Sequence, residues 1–192
     1  EVGTAEADLF AQMQRAFAGY ITRDNLIAAG RFLTGRGEDA REVLEMFYDR
    51  VRDRDPEYLD AYLATAELAI RKGDFQVAAN TLQEALKLEE ETPDLHHLLA
   101  KALESSDGQA AAEQVAIALR INPQHLPSLQ WLAERAIDRE RYDEAKDIAN
   151  QMLQINPHEP SAWALMAVIS HLRGEYDVEK LMRAAALSTW EQ

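Results

Sequence analysis

The chain has 192 residues, is 47% hydrophobic with 8 Gly and 6 Pro, and carries a formal net charge of −14. That is enough apolar material for a core and too little turn punctuation for an all-β fold. No part is net basic (8 basic against 11 acidic residues over 1–56, 5 against 12 over 57–123, 7 against 11 over 124–192), which argues against a nucleic-acid or anionic-membrane partner.

In chain order, the apolar spacing predicts about eleven helices and no strands. The first covers 5–21, with Leu9, Phe10, Met13, Phe17, Tyr20 and Ile21 on one face. The second, 25–34, is capped by Asp24 or Asn25 and turns Leu26, Ala29, Gly30 and Leu33 inward. Gly30 there allows two helices to approach closely. The third, about 39–53, carries Val43, Leu44, Phe47, Tyr48 and Val51, and Asp55-Pro56 ends it.

Four further pairs follow: 59–71 with 75–88, 93–105 with 109–121, 126–138 with 142–155, and 160–172 with 176–189. Thr92-Pro93-Asp94 is a helix start, with Pro at the first helical position and an acid in the first turn. Gly73-Asp74, Arg139 to Tyr142, and Gly174 supply turns. Ser106-Asp107-Gly108 marks a one-residue deletion. In the second pair Tyr62, Ala66, Ala69, Phe75, Ala78, Leu82 and Ala85 are the inward positions.

The pairs repeat. Leu119-Arg120-Ile121-Asn122-Pro123 returns 34 residues later as Leu153-Gln154-Ile155-Asn156-Pro157, and Tyr142 returns as Tyr176. Large residues stand at the fourth position (Tyr62, Leu129, Trp163), and Ala at the eighth (Ala66, Ala100, Ala133, Ala167). An aromatic follows the turn (Phe75, Tyr142, Tyr176), and Pro closes the unit (Pro56, Pro123, Pro157). This pattern resembles the tetratricopeptide repeat, strongly over 59–187 and weakly over 25–56. The resemblance implies an all-α α-solenoid, a right-handed superhelix of antiparallel helix pairs at about 25–56, 59–89, 92–123, 126–157 and 160–190, preceded by a helix within 1–24. Glu179 and Arg183 depart from it, because they occupy positions that should be small and apolar.

Nothing in the sequence marks catalysis, a metal or a cofactor. Gly35-Arg36-Gly37-Glu38-Asp39-Ala40 follows a helix rather than a strand and reads as a turn. His96 and His97 are adjacent, point to different faces, and cannot chelate as an i, i+4 pair would. His125 and His158 occupy equivalent positions and read as solvated loop residues. The chain has no Cys and no apolar run that would span a membrane, its first residues Glu1-Val2-Gly3-Thr4 carry no basic-then-apolar signal pattern, and these features assign no compartment.

What remains is surface. The resemblance places the first helix of each pair on a concave groove. Carried onto this chain, the groove positions are Asp60, Leu63, Glu67, Ile70 and Arg71, then His97, Lys101 and Glu104, then Gln130, Trp131, Glu134 and Asp138, then Ala164, Val168 and His171. Trp131 is either a binding anchor or packing against the neighbouring first helix. Family members that clamp acidic chaperone tails use Lys, Asn and Arg at set groove positions. Here Leu63, Glu67, Leu98, Pro127 and Trp131 stand there, so an apolar or basic segment is the expected ligand. The expected role is a protein–protein interaction scaffold without enzymatic activity. The alternative is an accessory or spacer region of a larger enzyme, such as a peptidase or glycosyltransferase. The chain ends on a repeat boundary without a covering helix. It is therefore expected to be a piece of a longer protein and to self-associate end to end through its last helix.

Overall fold

The computed structural model describes residues 22–190, and the helix expected over 5–21 lies outside them. Ten helices fill the described residues. Helix α1 is Arg23–Gly35. Helix α2 runs as Ala40–Val43, a π-helical turn Leu44–Tyr48, and Asp49–Arg54. Then come α3 Leu59–Lys72, α4 Phe75–Leu88, α5 Pro93–Leu103, α6 Gly108–Ile121, α7 Leu126–Asp138, α8 Tyr142–Ile155, α9 Pro160–Leu172 and α10 Tyr176–Trp190. The fold is all-α, an α-solenoid of helix pairs. It divides into two compact units, one through Glu90 and one from Glu91.

The helix ends follow local chemistry. Thr22, not Asp24 or Asn25, caps α1, its hydroxyl accepting from the Asn25 amide at 3.2 Å. The helix therefore starts two residues earlier than its apolar pattern does. Asp107 caps α6 by accepting from the amides of Gln109 and Ala110, which turns the one-residue deletion into an ordered helix start. Pro93 and Pro160 sit in first turns, where a missing amide costs nothing. Gly73, Glu140 and Gly174 hold equivalent turn positions at φ of 82°, 58° and 75°; Glu140 alone bears a side chain in this left-handed conformation.

In the first unit the core joins Leu26, Ile27, Leu33, Val43, Tyr48, Val51, Ala61, Ala64 and Leu68. Ile27 was not among the expected inward residues. The close approach at Gly30 is to a ring rather than a backbone, since a Cβ there would overlap Tyr48 Cε1. Ala66, Ala69, Ala78, Leu82 and Ala85 are buried as expected, but Phe75 is 40% exposed. Tyr176 is also exposed and Tyr142 half-buried, so the aromatic after the turn covers the pair from outside.

In the second unit, Leu129, Ala133, Ala149, Met152, Ala162 and Leu165 form one cluster, and Ala100, Ala111, Val115 and Trp131 form another. The large fourth-position residues are tied back by their polar tips. In the first unit Tyr62 donates to the Pro56 carbonyl at 2.8 Å, and in the second Trp163 Nε1 donates to the Pro157 carbonyl at 3.1 Å. Such residues combine apolar bulk with a satisfied donor. Glu179, at a position the repeat reserves for small apolar residues, is buried. His171 Nδ1 lies 2.9 Å from one carboxylate oxygen, and Arg183 donates to the other.

Candidate partner-binding groove

Helices α7 and α9 begin two successive pairs. Between them lies a cavity of about 390 Å³ lined by Gln130, Glu134, Ile137 and Asp138 from α7 and by Ser161, Ala164, Leu165 and Val168 from α9. The spacing follows from the helix. Residues 130, 134, 137 and 138 fall on one face at i, i+4, i+7 and i+8, and 161, 164, 165 and 168 do the same at i, i+3, i+4 and i+7. Ile137, Leu165, Val168 and Ala164 make an apolar floor, and the carboxylates of Glu134 and Asp138 stand on one wall. Gln130 donates to Glu134 at 2.8 Å, and Arg135 reaches Asp138 at 2.9 Å.

Five expected groove residues, Gln130, Glu134, Asp138, Ala164 and Val168, thus meet at one cavity. Ile137, Ser161 and Leu165 were missed as groove residues. They look like core and turn positions in the sequence, and only the spacing between α7 and α9 exposes them to the same space.

Trp131 does not join them. It is 7% exposed and packed with Ala100, Ala111 and Val115, so it is a core residue and not an open anchor. Of the two readings of this residue, packing against the neighbouring first helix is the one observed. Its Nε1 has no hydrogen-bond partner, and the Arg135 guanidinium stands 5.6 Å from its ring. Arg135 also reaches Glu104 at 2.6 Å, so Glu104 serves a bridge between α5 and α7.

His97 likewise faces inward between α5 and α7. Its ring meets that of His125 edge-on at 5.6 Å, and its Nδ1 is 3.5 Å from Ser128 Oγ. Burial, reinforced by the neighbouring His125 and Lys101, lowers its pKa to about 4. His125 is buried rather than solvated, with Nδ1 2.8 Å from Ser128 and Nε2 3.1 Å from Asp94. Asp94, His125 and Ser128 have the order of a hydrolase relay. Ser128 is 0% exposed inside a helix, however, so no substrate reaches it. His96 points the other way, to Gln114.

Lys101 is exposed. His171 is turned toward Glu179 and Tyr176 rather than into the cavity. The hydrogen bond from His171 holds the Glu179 carboxyl below its ordinary pKa; burial opposes this and Arg183 reinforces it.

In the first unit, Leu63, Glu67 and Ile70 are partly buried on α3 and Arg71 is exposed. Arg31 from α1 closes over this helix. It grips Asp60 with two donors at 2.8 and 3.2 Å and reaches Glu67 at 3.3 Å.

Among the described residues no helix is long and apolar enough to cross a membrane.

A sequence model of the tetratricopeptide repeat matches residues 102–169, which contain all of the cavity. A model described as the AefR-like transcriptional repressor, C-terminal domain, matches residues 9–122. That second match crosses from one compact unit into the other, and the 34-residue register runs through it, with Ala66 and Ala100 in step. The register decides between the two. Three solved structures share the fold. A tetratricopeptide protein of Thermus thermophilus, TTC0263, superposes with a TM-score of 0.73 at 17% identity, covering 88% of this chain and 91% of that one. Pseudomonas aeruginosa PilF gives 0.69 at 18%, covering 87% and 76%. YrrB, described as a tetratricopeptide protein with an unusual peptide-binding site, gives 0.54 at 17%, covering 92% and 91%. Residues 102–169 thus match the tetratricopeptide repeat, and the described chain has the fold of tetratricopeptide repeat proteins. Cellulose synthase operon protein C of Komagataeibacter xylinus is 26% identical over 187 residues, 94% of this chain. The chain spans 14% of that protein's length.

Proposed function

We propose that this repeat segment is a protein-interaction scaffold, without catalytic activity of its own, that holds an apolar or basic segment of a partner protein in the α7–α9 groove. The cavity carries the reading. It has the volume of a side-chain pocket, an apolar floor and an acidic wall, and it sits between the first helices of successive pairs. An acidic wall repels acidic tails and favours basic ones.

The test is peptide selection against the 192-residue chain from a displayed random library. Selected peptides should lose about tenfold or more in affinity on Ala164→Trp, which fills the cavity. They should keep it on Glu89→Lys, outside the groove. Binders indifferent to Ala164→Trp would remove the groove from the proposal.

A second reading is an accessory or spacer region of a larger enzyme, with the catalytic domain outside this chain; that the chain spans 14% of cellulose synthase operon protein C supports placing it in a longer protein. On that reading Ala164→Trp in the parent protein leaves its cellular output unchanged, while shortening the array by one pair abolishes it.

A further inference from the structure

Several ties between successive helix pairs within each unit are arginine–carboxylate pairs, beside others such as His125 with Asp94. In the first unit the Arg31 guanidinium of α1 bridges Asp60 and Glu67 of α3, and Arg52 of α2 reaches Glu84 of α4 at 3.1 Å. In the second, Arg135 of α7 reaches Glu104 of α5 at 2.6 Å. At the α7–α9 junction Asp138 is met by Arg135 of its own helix at 2.9 Å, and Arg173, just past α9, reaches Asp143 of α8 at 2.5 Å, but among the described residues no guanidinium meets Glu134. Helix α9 contains neither Arg nor Lys, and its His171 is engaged by Glu179.

Glu134 is the ninth residue of α7 as Glu67 is of α3. Glu67 is met by Arg31. Among the described residues Glu134 has no cationic partner within ion-pair distance, only the neutral amide of Gln130. Its neighbour one turn on is Asp138. Like charges at i, i+4 repel, and here only Asp138 is compensated, by Arg135.

We infer that the α7–α9 cavity is an arginine-recognition site, taking the guanidinium of an arginine in the partner segment between Glu134 and Asp138. The inference rests on the groove reading and specifies the residue that the groove selects. The arginine stem lies on Ile137, Leu165 and Val168, where aliphatic carbons replace water. The planar fork of a guanidinium serves two carboxylates at once, as Arg31 does for Asp60 and Glu67, whereas an ammonium offers a single point charge. In this reading the internal arginine at the first-unit junction shows, within the same chain, the chemistry that the partner supplies at the other.

Titration of the isotope-labelled 192-residue chain with Nα-acetyl-arginine amide, followed by NMR, tests it. Saturable shifts are expected at the amides of Glu134, Asp138 and Val168. The lysine and citrulline analogues should bind several-fold more weakly, and Glu134→Gln should weaken arginine binding about tenfold. Val168→Arg should place an internal guanidinium in the cavity and abolish binding of the probe. Equal binding of citrulline and arginine, or no effect of Glu134→Gln, overturns the inference. Nα-acetyl-leucine amide separates it from the groove reading. If the leucine probe shifts these amides and arginine does not, arginine selection fails and the groove stands. If neither does, both fail.

Discussion

Acid should loosen the junction between α5 and α7, and His97 should be the cause. A histidine whose folded pKa is about 4 and whose unfolded pKa is about 6.5 binds fewer protons folded than unfolded throughout that window. Stability therefore rises with pH between the two values and falls as pH drops from 6.5 toward 4. Each pH unit separating the two values is worth about 1.4 kcal/mol, so the full effect approaches ~3 kcal/mol, of which ~2 kcal/mol is lost by about pH 5. The groups facing His97 are His125, Asp94, Lys101 and Ser128. Asp94 is the one counter-charge among them, and it is already 3.1 Å from His125. A proton on His97 adds charge to a largely buried site. The assay is urea unfolding at about pH 7.5 and about pH 5 for the wild type, His97→Gln and the exposed control His158→Gln, with hydrogen exchange to locate the loosening in α5 and α7. His97→Gln should remove ~1–2 kcal/mol of the pH dependence, more than the surface substitution His158→Gln does. Identical pH slopes in the wild type and His97→Gln would refute the reasoning, because His97 would then titrate as it does in the unfolded chain.

Three further outcomes are expected. Gly30→Ala drives a Cβ into the Tyr48 ring; the helix-propensity gain of about 1 kcal/mol should be outweighed, for a net loss of ~1–2 kcal/mol in thermal or urea unfolding. Glu140→Gly relieves a left-handed side-chain-bearing residue where the equivalent positions are Gly73 and Gly174, and should gain ~0.5–1 kcal/mol in the same measurement. Leu181 and Leu187 on α10 are 67% and 61% exposed, so sedimentation should show concentration-dependent self-association of the chain that Leu181→Glu reduces; a wild type that stays monomeric over the whole concentration range counts against it.

The helices and their pairing were legible because they depend on spacing. Ala66, Ala100, Ala133 and Ala167 recur where helices touch, and all four are buried. Helix ends were less legible, because the cap is chosen by a hydrogen bond rather than by apolar periodicity. Thr22 lies outside the apolar pattern of α1, yet its hydroxyl starts the helix. Exposure of aromatic residues was the least legible. A Trp at position 131 looks the same in the sequence whether it faces a groove or a neighbouring helix, and what decides is the width of the gap beside it. The small residues Ala100 and Ala111 leave room for the indole, and the ring fills it.

The same limit governs the groove. Its acidic residues are visible in the sequence, but charge alone does not say which carboxylates are free. Glu67, Glu104 and Glu134 are indistinguishable until the arginines are placed: Arg31 occupies the first, Arg135 the second, and the third has only an amide. Ion pairs between helices about 30 residues apart in sequence are set by packing, not by local pattern, and a repeat array multiplies near-equivalent partners for every charge. The residue that tells a binding carboxylate from a structural one is therefore found on a different helix. Among the described residues that partner is an arginine for Glu67 and for Glu104, while Glu134 has none and Arg173, just past α9, goes to Asp143 instead.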